Sequence, residues 1–196
     1  MNKILLTAFE PFGGEKINPA QEALRLVKTD AIKLYLPVEY DTAARLAVEA
    51  IDLYKPCAVI NIGQAGGRDG VTPEKYAVNL RSAKSPDNAG RLCTEEKILP
   101  GGPDRLESSF GAEAITKALL EADIRCFVSV SAGTYVCNDV MYQVLWRLKD
   151  TRIPAGFIHL PYCLEQLAAH PDAFGMDLNL MAKAIEIAAH TVMRQF

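Results

Sequence analysis

The amino-acid sequence predicts an α/β fold, in which a mostly parallel, twisted sheet carries helices on both faces. Segments with strand character alternate with segments of helical spacing along the chain, which is the pattern of βαβ units. One of them, Cys57–Ile62 (CAVINI), is a continuous apolar run typical of strands covered on both faces. The chain has 196 residues, of which 49% are hydrophobic and 23% charged, so we expect one globular domain over residues 1–196.

The chain begins with a predicted strand and a predicted helix. Asn2–Phe9 is a short apolar run with strand character, and a Gly-Gly loop follows it. Asn18 and Pro19 have the residue types of an N-cap and a first helical position, so we expect the helix Ala20–Lys28 to start there.

A second strand, a second helix and a third strand follow. Ala31–Val38 alternates and is rich in β-forming residues, which indicates a strand. Asp41–Tyr54 repeats its apolar residues at helical spacing, and either Asp41 or Thr42 is expected to cap this helix. The apolar run Cys57–Ile62 forms the third strand.

The middle of the chain is less regular. A long loop is expected over Gly63–Pro73, and a strand over Tyr76–Leu80. Ser85–Pro103 is rich in Pro, Gly and Asp, which favours irregular structure.

The second half resumes the alternation of helices and strands. The predicted elements are the helix Ala112–Ala122, the strand Cys126–Ser131, the helix Val136–Lys149, the strand Gly156–Leu160 and the amphipathic helix Asp177–Arg194. Functional groups of a parallel sheet gather at the carboxyl ends of its strands. We therefore expect them in the loops after Phe9, Ile62, Ser131 and Leu160.

The charge and the apolar runs argue against several classes of protein. The net charge is −3 and no Lys/Arg cluster is present, which disfavours nucleic acid or an anionic membrane as a partner. No run of about twenty apolar residues exists, so no membrane span is expected. The apolar start is interrupted by Glu10 and Pro11, so a signal peptide is not expected either.

The cysteines and histidines indicate a reduced protein that needs no metal. Five cysteines are an odd number without a CxxC pair, so we expect free thiols in the cytoplasm. His159, His170 and His190 lack HExxH and zinc-finger spacing, and the stretch GQAGGR lacks a phosphate-loop or dinucleotide pattern. We therefore expect no metal and no cofactor, and we place His170 and His190 at the surface.

Cys137 lies where the predicted strand Cys126–Ser131 gives way to the helix Val136–Lys149. A thiol at a helix N-terminus faces unpaired backbone N–H groups and the positive end of the helix dipole, and both favour the nucleophilic thiolate. The same N–H groups can stabilise the oxyanion of an acyl-transfer intermediate. Cysteine is also among the most buried residue types, so a structural role is the alternative. The other four cysteines have no comparable position.

His159 and Glu74 are the candidates that would make this thiol reactive. His159 is near the carboxyl end of a predicted strand, on the same rim as Cys137, and a neighbouring imidazole activates a thiol. A third group usually orients the imidazole, and Glu74 follows the Gly-rich loop that emerges on this rim. The alternatives are a hydrogen-bonded structural histidine and a helix-start or turn glutamate after Pro73.

Several separated stretches resemble one family, the type I pyroglutamyl peptidases, which are cytoplasmic cysteine peptidases. In order along nearly the whole chain, the stretches read LLTAFEPFGGEKINPAQEAL, GQAGGRDGVTPEKYAVNL, PDNAG, SAGTYVCNDVMY and AGFIHLPYCLEQ. The resemblance implies that Glu74, Cys137 and His159 form a catalytic triad. It also implies a three-layer α/β/α sandwich, no metal or cofactor, and a homo-oligomer that is a dimer or a tetramer.

The reaction that this resemblance implies is the removal of N-terminal pyroglutamate from peptides. A neutral lactam ring needs an apolar slot with a few polar groups at its amide edge. In the family two aromatic residues line this slot, and their positions here are Phe9 and Phe12. The implied substrate-binding residues are Phe9, Phe12, Asn18, Gln64, Lys84, Tyr135 and Val136. Core packing is the alternative for Phe9, because it ends a strand.

Three positions depart from the usual pattern of the family. Lys84-Ser85 stands where the family has Arg and an aliphatic residue, and lysine offers a point charge in place of a planar guanidinium. Tyr135 replaces Phe, and Asp139 replaces a common His. Two other functions stay open: a cysteine amidohydrolase acting on a small lactam or amide, and a catalytically silent protein that binds pyroglutamyl groups.

Overall fold

Strands and helices alternate along residues 3–195, the part of the chain that the computed structural model describes. The elements are β1 (Ile4–Phe9), α1 (Pro19–Leu26), β2 (Ala31–Leu36), α2 (Thr42–Tyr54), β3 (Val59–Gln64), β4 (Thr72–Glu74), β5 (Tyr76–Val78), β6 (Arg105–Glu107), α3 (Ala112–Glu121), α4 (Val136–Leu148), β7 (Ala155–Leu160), β8 (Tyr162–Cys163), a short 3₁₀ turn (Leu164–Gln166), β9 (Gly175–Met176) and α5 (Leu178–Gln195). The predicted start of the first strand, Asn2, lies outside the described residues.

Five of these strands form the central sheet, in the order β2-β1-β3-β7-β4. β1 pairs with β2 and β3, and β3 pairs with β7, all in parallel. β4 closes one edge as an antiparallel partner of β7. The pairs β5–β6 and β8–β9 form two small sheets of their own.

Each face of the sheet buries one apolar cluster under a layer of helices. Successive side chains of a strand point to opposite faces, so Ile4 and Leu6 pack with α1, α3 and α5, whereas Leu5 and Phe9 pack with α2 and α4. The prediction of an α/β fold with a mostly parallel sheet and helices on both faces is therefore confirmed, and the three layers have the order α/β/α.

The helices begin close to where the sequence predicts. α1 starts at Pro19, and the side-chain oxygen of Asn18 accepts a hydrogen bond from the Ala20 N–H at 3.0 Å, so the predicted N-cap is confirmed. Asp41, one of the two predicted caps, occupies the N-cap position of α2, but its side chain makes no capping hydrogen bond. Its carboxylate binds the guanidinium groups of Arg81 and Arg91 instead, and charge-assisted bonds of this kind are stronger than a bond to a backbone N–H.

The predicted strand Cys126–Ser131 is wrong as a full strand. The segment runs beside β4 but forms only two isolated parallel bridges, between Val71 and Cys126 and between Glu74 and Ser129. The physical reason is Pro73, which lies between these bridges and has no N–H to donate to the neighbouring chain.

The loop predicted over Gly63–Pro73 is shorter than expected. β3 extends to Gln64, and β4 begins at Thr72. The segment 85–103, which the structure describes throughout, contains no helix and no multi-residue strand, as predicted from its Pro, Gly and Asp content. The short strands β6, β8 and β9 are not predicted by the sequence pattern. Among residues 3–195, no helix combines the length and the apolar character needed to cross a membrane.

A buried ion network holds the start of the irregular segment against the helices. Arg81 is 5% exposed, and its Nε lies 2.9 Å from Oδ1 of Asp139, a side chain without exposed surface. The same guanidinium binds Asp41, which also pairs with Arg91. The network thereby ties the irregular segment to the first turns of both α2 and α4.

Asn138 fixes the N-terminal turn of α4 to β5. Its Oδ1 accepts a hydrogen bond from the Val78 N–H at 2.8 Å. Its Nδ2 donates to the carbonyl oxygens of Val78 at 2.9 Å and Leu80 at 3.0 Å. The buried amide therefore satisfies three backbone groups, as a neighbouring strand would.

We predict that Asn138→Ala lowers the free energy of unfolding by about 2–4 kcal/mol, because it leaves three backbone groups without partners. Urea unfolding monitored by circular dichroism measures this. The matched control is Asn179→Ala at an exposed position of α5, which should change the free energy by less than about 0.5 kcal/mol. Equal losses in the two variants would contradict this account of Asn138.

Candidate active site

The register of three strands places Glu74 and His159 on one face of the sheet. β3 pairs Gly63 with His159, and β4 pairs Thr72 with His159 and Glu74 with Phe157. Residues directly opposite each other point to the same face, and so do residues two apart along a strand. Phe157 belongs to the apolar cluster under α2 and α4. Glu74 and His159 therefore also face the layer that contains α4.

A buried hydrogen bond joins these two side chains. Nδ1 of His159 lies 2.7 Å from Oε1 of Glu74. His159 is 3% exposed and Glu74 has no exposed surface. A carboxylate in this position accepts a hydrogen bond from Nδ1–H and fixes the tautomer in which Nε2 can take up a proton.

Cys137 lies on the same face, as the second residue of α4. A Cβ atom on Gly63 would lie 3.0 Å from the Cys137 Sγ and 2.9 Å from the ring of Phe157. The sulfur therefore packs directly against β3, at the residue that pairs with His159. A residue larger than glycine at position 63 would displace the Cys137 sulfur.

The acidity of this thiol differs from the expectation. Burial, followed by the negative charge of Glu74, raises the pKa of Cys137 to about 12, although its own backbone N–H and Arg68 act in the opposite direction. Burial therefore opposes the thiolate that the position at the helix N-terminus favours. Loss of hydration disfavours the charged form of a thiol, so the acidity of Cys137 depends on the groups packed around the sulfur as well as on its place in α4.

The first turn of α4, which carries the thiol, has no side-chain cap. Tyr135 occupies the N-cap position and makes no side-chain capping bond. The first N–H groups of a helix have no partner within the helix. N–H groups of this kind can stabilise negative charge on a nearby oxygen.

A cavity of about 460 Å³ is lined in part by three of the predicted substrate-binding residues, Phe12, Lys84 and Tyr135. Its other lining residues are Gly13, Ser82, Ala83, Ser85, Pro86 and Thr134. The ring centroids of Phe12 and Tyr135 lie 6.2 Å apart. The Tyr135 hydroxyl donates a hydrogen bond to the Pro86 carbonyl oxygen at 2.9 Å. Burial raises the pKa of Tyr135 to about 12, so the hydroxyl is neutral. The cavity wall is thus aromatic and carries one cation, Lys84.

Phe9, Val136 and Asn18 do not line this cavity. Phe9 and Val136 are each 1% exposed, and the ring of Phe9 stacks on Phe157 at 6.2 Å. Asn18 is fully buried between α1 and the loop after β1, where its Nδ2 donates to the Glu10 carbonyl at 3.0 Å. The structure therefore places these three residues outside the lining of the cavity, at buried positions.

Gln64 presents an unusual buried acceptor at the end of β3. The residue is 7% exposed, and among residues 3–195 its Oε1 has no hydrogen-bond partner. A buried acceptor without a partner is costly, and native proteins keep one for a reason such as a ligand or a water molecule.

Arg68 is a site residue that the sequence analysis does not identify. Its Nη2 lies 3.0 Å from Oε1 of Glu74, and its side chain is 23% exposed. A signal for it exists in the sequence, because Arg68 follows the glycines of the same rim loop that leads to Glu74.

The remaining histidines and cysteines lie elsewhere. His190 is exposed, as expected. His170 is only 31% exposed, because its Nε2 binds Glu15 at 2.6 Å and its ring stacks on Tyr162. Cys57 is exposed, whereas Cys93, Cys126 and Cys163 are buried. In the described part of the chain, no group of three or more His, Cys, Asp or Glu side chains is arranged to hold a metal ion.

Comparison with known proteins gives one consistent family. The family model described as pyroglutamyl peptidase matches residues 2–195. The pyrrolidone-carboxylate peptidase of Erwinia tasmaniensis is 42% identical, over 96% of this chain and 91% of its own length. Pyrrolidone-carboxylate peptidase 1 of Caldanaerobacter subterraneus is 40% identical, over 98% of each chain.

Solved structures have the same fold. The crystal structure of pyroglutamyl peptidase I from Bacillus amyloliquefaciens superposes with a TM-score of 0.92 at 35% identity, covering 98% of this chain and 95% of that one. A mutant pyrrolidone carboxyl peptidase from Pyrococcus furiosus has the same score and identity, covering 98% and 99%. The chain belongs to the pyroglutamyl peptidase family.

Proposed function

We propose that this protein is a cysteine peptidase that removes N-terminal pyroglutamate from peptides, with Cys137 as nucleophile, His159 as acid and base, and Glu74 as the group that orients His159. The observation that carries the proposal is the buried Glu74–His159 hydrogen bond on the sheet face against which the Cys137 sulfur packs. The names of the relatives support the substrate, since they are pyrrolidone-carboxylate and pyroglutamyl peptidases.

The first half of the reaction forms a thioester. Burial disfavours a free thiolate, so His159 takes the thiol proton through Nε2 as the sulfur attacks the carbonyl carbon that joins pyroglutamate to the next residue. The carbonyl electrons move to the oxygen, where the N–H groups of α4 stabilise the negative charge. Collapse of this intermediate breaks the C–N bond, and the imidazolium gives its proton to the departing amine.

The second half restores the thiol. His159 takes a proton from a water molecule, which attacks the thioester carbon. The C–S bond breaks, pyroglutamate leaves, and the proton returns to the sulfur. Glu74 accepts the Nδ1 hydrogen bond throughout and stabilises the imidazolium whenever it forms.

The polarity of the cavity suits a neutral lactam. Its lining residues include no carboxylate, so it has no group to bind the ammonium of an ordinary peptide N-terminus. Phe12 and Tyr135 offer apolar surface to the ring. Gln64 lies outside the lining of this cavity, at the end of β3, and its unpartnered Oε1 offers the acceptor that a lactam N–H needs.

Three further properties remain predictions. We expect one domain over the whole chain, a cytoplasmic location and a homo-oligomer that is a dimer or a tetramer. The substrates are expected to be peptides with N-terminal pyroglutamate, and no nucleic acid or membrane is expected as a partner.

We predict that Cys137→Ala and Cys137→Ser each lower kcat/KM on a chromogenic pyroglutamyl amide by about 10⁴-fold, because the nucleophile is lost. The matched control is Cys57→Ser, which changes an exposed thiol and should keep wild-type activity. Full activity in either Cys137 variant would rule out the thiol nucleophile. Thiol-dependent hydrolysis of a free lactam without release of pyroglutamate from peptides would indicate an amidohydrolase. Binding of pyroglutamate without turnover would indicate a silent binding protein.

We predict that the rate of inactivation by iodoacetamide rises about tenfold per pH unit between about pH 6 and 9. A thiol with a pKa raised to about 12 is almost entirely protonated over this range, and its reactive thiolate fraction grows in that proportion. The Cys57→Ser protein removes the exposed competing thiol. A rate independent of pH would instead indicate a resting thiolate–imidazolium pair.

We predict that Gln64→Leu raises KM for the pyroglutamyl amide by about tenfold with a smaller change in kcat, because the lactam N–H loses its acceptor. The same change should leave the free energy of unfolding unchanged or higher, since it removes a buried polar atom without a partner. An unchanged KM would exclude Gln64 from lactam recognition.

A further inference from the structure

Arg68 connects Glu74 with the segment that leads to Cys137. It lies in the loop between β3 and β4, and a single nitrogen, Nη2, makes both contacts. This nitrogen lies 3.0 Å from Oε1 of Glu74 and 3.1 Å from the Ser131 carbonyl oxygen. The contacts of Arg68 therefore join β4, which carries Glu74, to the segment that precedes α4.

The environment of Glu74 requires a permanent cation. The side chain has no exposed surface, and among the described residues its Oε2 has no hydrogen-bond partner. A buried carboxylate stays charged only when it is paired and hydrogen-bonded. His159 changes its own charge during the reaction, so it cannot fill this role at every step. Arg68 can, because its guanidinium is always protonated.

We propose that Arg68 is a positioning residue, which keeps Glu74 ionised at every step and so keeps His159 in the tautomer and orientation needed for proton transfer. The inference rests on the proposed function. Without Arg68, the buried carboxylate would lack its permanent charge partner, and an unpaired buried charge is disfavoured. A carboxylate without a fixed partner no longer holds the imidazole in one orientation.

The groups around Glu74 determine the direction of the pH effect. Arg68 faces it from the loop, His159 from β7 and Cys137 from α4. The adjacent Lys75 is paired away from the site with Glu113 and Glu107. Arg68 is thus the permanent cation at this carboxylate, and it also opposes the rise in the pKa of Cys137. Removing this charge lets the site bind protons at higher pH.

The test compares Arg68→Gln, which keeps a hydrogen-bond donor but loses the charge, with Arg68→Lys, which keeps the charge. For Arg68→Gln we expect kcat to fall on the order of 10²-fold with KM within about threefold of the wild type. The acid limb of the kcat/KM profile should move to higher pH, and alkylation of Cys137 by iodoacetamide at fixed pH should slow. Arg68→Lys should recover at least about tenfold of the lost kcat and keep the wild-type acid limb.

The matched control is Arg125→Gln, which removes a surface arginine that pairs with Asp69 at 3.3 Å, in the same loop. It should leave kcat, the acid limb and the alkylation rate unchanged. A residue that only ties the loop to Ser131 would lower stability without moving the acid limb, and that result would overturn the proposal. So would a kcat of Arg68→Gln within about threefold of the wild type.

The Arg68→Lys variant and the alkylation rate allow the test to give a result even if Arg68→Gln does not fold or the wild type is inactive. If Arg68→Gln does not fold, Arg68→Lys decides, because a shifted acid limb in a folded protein that keeps the charge would overturn the inference. The alkylation rate needs no substrate, so it tests Arg68 even if the wild-type protein releases no pyroglutamate. A failure of the proposed function is therefore distinguishable from a failure of this inference.

Discussion

The candidate site depends on the strand register around β7. A shift of one residue between β3 and β7, or between β4 and β7, would turn Gly63 or Glu74 to the opposite face of the sheet. The Cys137 sulfur would then lose its contact with Gly63, or His159 would lose its hydrogen bond to Glu74. The register is itself fixed by burial, because both faces of the sheet are covered by apolar clusters and no slip leaves both intact.

Burial then determines how the charges of the site are balanced. Burial disfavours the charged form of the Cys137 thiol, and the Glu74 carboxylate, which is hydrogen-bonded to His159, has Arg68 beside it. A site with this balance has little net charge to offer a charged N-terminus, whereas a neutral lactam loses little hydration on entering it. The same lack of water that suppresses the resting thiolate strengthens the interactions that form with the transition state.

Residues 82–86 provide part of the cavity wall, and the irregular segment 85–103 that continues from them is held by buried polar contacts in place of regular structure. Asp87 is 6% exposed, and its carboxylate accepts hydrogen bonds from the backbone N–H groups of Tyr40, Ala89 and Arg91. Arg81, which precedes this segment, forms a buried pair with Asp139 and thereby holds the chain against α4. Asp139, which departs from the common residue of the family, thus has a defined partner, and the wall that contains Lys84 is positioned without a helix or a strand.

The sequence by itself determined the alternation of strands and helices, the N-cap at Asn18, the irregular segment and the residues Cys137, His159 and Glu74, because periodicity and motif order are local properties of the chain. The tertiary structure decided the rest. Pro73 reduced a predicted strand to two bridges, Phe9 packed against Phe157 in the core, and Arg68 came to lie beside Glu74. The pKa of Cys137 rose although its helix position favours a lower value, because desolvation depends on every element packed around the sulfur and no local pattern records it.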